Sequence, residues 1–156
     1  MTEPRRLLVV AHSATGNVAA LTDAVLRGAL DPDISGVVVE RLDALTAGAD
    51  DVVGADALIL GTPANFGYMS GALKHFFDTV YHPCVVVARG RPFAIYVKGE
   101  SDVSGALDSI RRITTGLGWR EVQPPVAVVG DIESTDLLAC EELGRVMGAR
   151  LMLGLD

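Results

Sequence analysis

Three short stretches hold the residues that could do chemistry. The first is His12-Ser13-Ala14-Thr15-Gly16-Asn17-Val18, where an apolar run ends and a helical pattern begins. Such a strand-to-helix corner exposes unpaired N–H groups at the positive end of the helix dipole, which suits an anion such as phosphate. Ser13, Thr15 and Asn17 add side-chain donors, and Gly16 lets a ligand approach the backbone. No lysine or arginine lies among them, so the stretch is neither GxxxxGK[ST] nor GxGxxG. Arg5 and Arg6 lie roughly 20 Å away at about 3.3 Å per strand residue, too far to help. Neutral donors contributing about 1.5–3 kcal/mol each to a charged partner would have to hold the anion. A polar turn that merely caps a helix would read the same way.

The second stretch covers residues 61–71, Gly-Thr-Pro-Ala-Asn-Phe-Gly-Tyr-Met-Ser-Gly, with two aromatics, three glycines, a proline and no charge. Small residues let a flat ring approach the backbone and an aromatic can flank it, so a planar conjugated ligand fits. The third stretch is Lys98-Gly99-Glu100-Ser101-Asp102.

These stretches need a frame to bring them together. Apolar runs at 7–11, 37–39, 57–60, 93–97 and 126–129 are continuous rather than alternating, the mark of strands covered on both faces in a parallel sheet. Helical patterns lie between them. Val18, Leu21, Val25 and Leu26 share one face of the first helix, which ends near Leu30. A short or irregular helix is expected within 43–54. The third helix, from about Ser70 to Tyr81, should stop at Pro83; 84–90 fits a strand, a helical tail or a loop. A fourth presents Leu107, Ile110, Ile113 and Leu117, with Asp108 spaced to meet Arg111 and Arg112. The fifth presents Cys140, Leu143, Met147 and Leu151.

The alternation implies an α/β fold, a doubly wound three-layer sandwich with right-handed crossovers in one domain spanning 1–156. If the five-stranded parallel sheet is ordered 2-1-3-4-5, ligands gather at the C-terminal strand ends, where all three stretches fall. His12 is expected to be satisfied at its strand end. His75 and His82 should be surface groups, and Trp119 should pack against the sheet edge.

The 156 residues are 49% hydrophobic and 21% charged, with a net charge of −7. The absence of a basic block argues against nucleic-acid binding. Cys84, Cys140 and the three histidines have no metal-ligand spacing, so no metal site is expected. The apolar run after Arg5-Arg6 is too short for a signal peptide and no run is long enough to insert in a membrane, so the expected location is cytoplasmic.

Gly61-Thr62-Pro63-Ala64-Asn65-Phe66-Gly67, then Ser70-Gly71-Ala72-Leu73-Lys74 and Phe76-Phe77-Asp78, resembles the flavodoxin-like FMN proteins. The resemblance is closest to the NAD(P)H-dependent FMN and quinone reductases of that fold. Ser13-Ala14-Thr15-Gly16-Asn17-Val18 matches their phosphate loop, except that Val18 stands where a hydroxyl is common. The resemblance implies a short-chain flavodoxin-like fold without the insertion that splits the fifth strand in long-chain members. It places the FMN phosphate on Ser13, Ala14, Thr15, Gly16, Asn17 and Val18, and the isoalloxazine beside Pro63, Ala64, Asn65, Phe66 and Gly67. Lys98, Gly99, Ser101 and Asp102 would close the other side, by position alone.

The implied activity passes electrons from NAD(P)H through FMN to a quinone, flavin or similar small acceptor, with the cofactor rather than a catalytic side chain carrying the chemistry. Homo-oligomers are common among such reductases. The alternative is a single-electron carrier serving a redox-protein partner. A carrier of low potential crowds its ring with carboxylates and aromatics, whereas 61–77 carries Lys74 and, before Asp78, no carboxylate. Lys98 adds a second positive charge, although Glu100 and Asp102 pull the other way. The balance favours the reductase. A regulatory receiver module would need acidic residues where Ala11-His12-Ser13 stands.

Overall fold

The computed structural model describes residues 3–12 and 16–155. Ser13, Ala14 and Thr15, expected to grip phosphate, therefore lie outside the described residues. Parallel strands β1 (Arg5–Ala11), β2 (Val37–Asp43), β3 (Ala57–Pro63) and β4 (Pro92–Gly99) are joined through helices α1 (Gly16–Ala29), α2 (Ala49–Val53) and α3 (Gly71–Cys84). Helix α4 (Ser104–Leu117), short strands β5 (Arg120–Glu121) and β6 (Val126–Val129), and α5 (Ser134–Leu153) complete the chain. The sheet runs β2-β1-β3-β4-β5, as expected, with β6 also pairing to β4. The fifth position is thus built from two segments. Between them stand Pro124 and Pro125, which lack the N–H groups a ladder needs.

Side chains leave β1, β3 and β4 alternately toward two cores. Leu8, Val10, Leu58, Leu60, Phe93 and Ile95 meet α3 and α4 through Leu73, Phe76, Phe77, Ile110 and Leu117. Leu7, Val9, Ile59 and Tyr96 meet α1 and α5 through Val18, Leu21, Val25, Cys140 and Met147. Helices α1 and α5 touch backbone to backbone: a Cβ on Gly144 would lie 1.9 Å from the Val25 carbonyl oxygen. This locks α1 against α5.

Several expectations need correction. The apolar run of β2 belongs to a half-buried edge strand, so only the inner strands are covered on both faces. Helix α3 continues through Pro83 to Cys84, because a proline in the last turn removes only one helical hydrogen bond. Beyond it, 85–90 forms turns, with Val86 and Val87 exposed. Arg111 makes a two-pronged ion pair with Glu121, at 2.8 and 2.9 Å, with the charge of Asp108 adding to its stabilisation. Trp119 packs on Phe77 and Phe93 as expected. Among the described residues, no helix is long and apolar enough to cross a membrane.

Candidate functional site

Strand β1 delivers the chain to the first loop. His12 Nδ1 lies 3.1 Å from Asp43 Oδ2 at the end of β2, which satisfies the histidine. Partial burial works against the Asp43 charge, but the Leu45 N–H and His12 outweigh it and hold the carboxyl below its usual range. Helix α1 opens at Gly16 with no acidic residue in its first turn. Open space surrounds the position a Cβ would take on Gly16.

A buried chain of hydroxyls ties this helix to the sheet. Thr22 Oγ1 donates to the Val18 carbonyl at 2.9 Å, so the Tyr96 hydroxyl, 2.6 Å away, donates to Thr22. The phenol lies across Gly61, where a Cβ would come within 2.1 Å of the ring. Gly61 and Tyr96 are register partners on β3 and β4, so the glycine is required by the tyrosine. The sequence reading missed this arrangement. Its signal was a lone tyrosine in an apolar run, meaningful only once the register placed a glycine beside it.

The second loop starts where β3 ends. The Ser70 N–H donates to Thr62 Oγ1 at 2.9 Å, and Ser70 Oγ accepts from the Leu73 N–H to cap α3. The Ala64 N–H donates to the Lys98 carbonyl at 2.8 Å, tying loop two to β4. Asn65 and Tyr68 exchange backbone hydrogen bonds of 2.8 and 2.9 Å around Phe66 (φ 52°) and Gly67 (φ 69°). Two positive φ angles in a two-residue hairpin turn mark type I′. Phenylalanine is strained there, and its ring is fully exposed. The hairpin rests on α4, where a Cβ on Gly105 would meet the Gly67 carbonyl oxygen at 2.1 Å.

Lys98 and Gly99 belong to β4 rather than to a loop, because the sheet pairs Lys98 with Pro63. The Lys98 side chain is only 6% exposed and its Nζ donates to Glu100 Oε1 at 2.7 Å. Asp102 accepts from the Ser104 N–H and hydroxyl, which holds its carboxyl below the usual range. It therefore serves the start of α4, and Ser101 is exposed beside it.

The three stretches meet at a cavity of about 170 Å³. Asn17 and Val18 line it from the first, Pro63, Ala64 and Asn65 from the second, and Lys98, Gly99 and Glu100 from the third. Phe66 and Gly67 stand at the hairpin tip outside that lining. Glu100 was not foreseen among the holding residues. The donor set suits a ligand with an anionic end and a flat uncharged body: helix N–H groups at one wall, an uncharged loop at another, and a buried ammonium between. A depression of about 440 Å³ between α3 and α4 is larger, but it lies outside the convergence of the three loops. Among the described residues, no group of histidine, cysteine and carboxylate side chains could hold a metal.

Comparison with known proteins identifies the fold and the family. A flavodoxin from Aquifex aeolicus (strain VF5) is 35% identical over 75 residues, which is 48% of this chain and only 40% of that protein. The chain thus spans less than half the length of the curated relative it matches. A flavodoxin structure from the domain Archaea superposes with a TM-score of 0.78 at 20% identity, covering 94% of this chain and 98% of the other. The apo form of an NADH:FMN oxidoreductase gives 0.72 at 20% identity, covering 92% and 89%. These structures establish a flavodoxin-like fold. The family model for NADPH-dependent FMN reductases matches residues 7–133, and the chain belongs to that family.

Proposed function

We propose that this protein binds FMN and passes electrons from NAD(P)H through it to a quinone, flavin or similar small acceptor. The whole chain, 1–156, would act as one flavodoxin-like unit. The observation that carries this reading is the convergence of the α1 N-terminus, the uncharged wall at 63–65 and the end of β4 on one cavity. The first-turn N–H groups of Gly16, Asn17 and Val18, with Ser13, Ala14 and Thr15, would hold the phosphate at the positive end of α1. Pro63, Ala64 and Asn65 would flank the isoalloxazine, with Phe66 and Gly67 next to them in the same loop. Lys98 and Gly99, with Ser101 and Asp102 following them in the chain, would close the other side.

When bound, FMN supplies the hydride-accepting and electron-donating chemistry. The protein would position the ring and hold the phosphate. The match to a flavodoxin favours a second reading, a one-electron carrier for a redox-protein partner. Anaerobic stopped-flow mixing of the FMN-loaded protein with NADPH or NADH separates the two. The reductase reading expects rapid bleaching of the flavin absorbance by at least one nucleotide. If only a chemical reductant bleaches it, the carrier reading replaces ours.

A further inference from the structure

Lys98 is a buried cation whose ion-pair partner among the described residues, Glu100, stands in water. Its side chain is 6% exposed, whereas that of its partner Glu100 is 83% exposed. Burying an ammonium is costly unless a partner compensates it, and a solvated carboxylate compensates weakly. The other lining residues, Asn17, Val18, Pro63, Ala64, Asn65 and Gly99, bring no second anion. The pair is also short-range in the chain. Glu100 lies two residues beyond Lys98, past the end of β4, so it can leave without disturbing the sheet. Lys98 cannot leave. Its carbonyl holds Ala64, and its backbone pairs with Pro63 across the ladder.

We propose that Lys98 and Glu100 form a redox-linked charge latch, an inference that rests on the FMN reading above. Hydride arrival brings one proton and two electrons, so the occupied cavity gains one negative charge. Against the neutral oxidised ring, Glu100 neutralises the Lys98 ammonium. Against the added negative charge, Lys98 turns its ammonium to the ring edge and Glu100 swings into solvent. A fixed cation thus serves reduced cofactor without weakening the site for the oxidised form. Lys98 carries the charge of this device, and Glu100 is a positioning residue that competes for it.

The test compares the dissociation constants of oxidised and reduced FMN for the full chain, measured by titration and by redox potentiometry. Lys98→Met should weaken the reduced form at least about tenfold more than the oxidised form, lowering the two-electron potential by about 30 mV or more. Glu100→Gln, at an exposed position that spares the fold, should shift the potential the other way, and Lys98→Arg should restore most of the wild-type value. The same shifts should appear with riboflavin, because the effect belongs to the ring. Equal weakening of both redox forms, or a shift seen with FMN and absent with riboflavin, would make Lys98 a phosphate ligand and overturn the latch. An unmoved potential in Glu100→Gln overturns it as well. Failure of the wild-type protein to bind FMN would instead overturn the proposed function.

Discussion

Thr22→Val removes one oxygen from the link between α1 and the sheet and leaves the shape of the side chain intact. Thr22 and Tyr96 are both buried, and Thr22 Oγ1 is the acceptor of the Tyr96 hydroxyl at 2.6 Å. The Val18 carbonyl, which also receives the Thr22 hydroxyl, keeps its place in the helical ladder of α1 and is not orphaned. The phenolic O–H is the group left without a partner. A buried donor deprived of its acceptor costs about 1–3 kcal/mol. At roughly 2–4 °C per kcal/mol for a chain of this size, the midpoint should fall by about 2–12 °C. Tyr96→Phe alone should cost less, about 0.5–1.5 kcal/mol, because the remaining Thr22 hydroxyl still donates to Val18.

The double variant carries the sharper expectation. With both polar groups gone the hydroxyl pocket is apolar on both sides, so its cost should fall below the sum of the two single costs by about 0.5–3 kcal/mol. Urea denaturation followed by circular dichroism gives all four corners of the cycle. Additive costs, or a Thr22→Val change within about 0.5 kcal/mol of wild type, would refute the chain of hydroxyls as drawn.

Further outcomes follow from the hairpin and the buried thiols. Phe66→Asn creates the Asn-Gly pair that type I′ turns favour and should raise stability by about 0.5–1 kcal/mol, while weakening FMN binding if the ring covers the cofactor. Equilibrium unfolding and FMN titration of the one variant read both effects, and a loss of stability would contradict the turn assignment. Burial raises the Cys140 thiol from its ordinary 9 to about 12, with Asp136 adding to the effect. The folded state thus holds that proton more tightly than the unfolded chain, so the contribution to stability is full below pH 9 and is lost as pH rises toward 12. Cys140→Ala should flatten that alkaline slope in pH-dependent unfolding, and in native protein at neutral pH both thiols should resist alkylation until denaturant is added.

The sequence exposed the inner frame well, because β1, β3 and β4 are buried on both faces and cannot avoid continuous apolar runs. The same pattern misled at Val37, Val38 and Val39, since a run of valines does not say whether another strand lies beyond it. The apolar signal of β4 stops at Val97, yet the ladder carries Lys98 and Gly99 into the strand, because backbone pairing with Pro63 is indifferent to side-chain polarity. Pro83 looked like a stop because a proline is disruptive in a helix interior and harmless near its end. The two loops of the candidate site were legible as local motifs. The groups that tune the site were not: Tyr96 against Gly61, Thr22 beneath Val18 and Glu100 over Lys98 acquire meaning only across strands, or when a loop folds back on itself.

The proposed FMN site would hold its phosphate on the first turn of α1. Fluorescence titration of the purified protein with FMN, and in parallel with riboflavin, tests it most directly. FMN should quench at one equivalent and riboflavin should bind at least about tenfold more weakly, since the phosphate contacts contribute about 1.5–3 kcal/mol each and tenfold corresponds to about 1.4. Absence of quenching by FMN, or equal affinity for the two flavins, would contradict it.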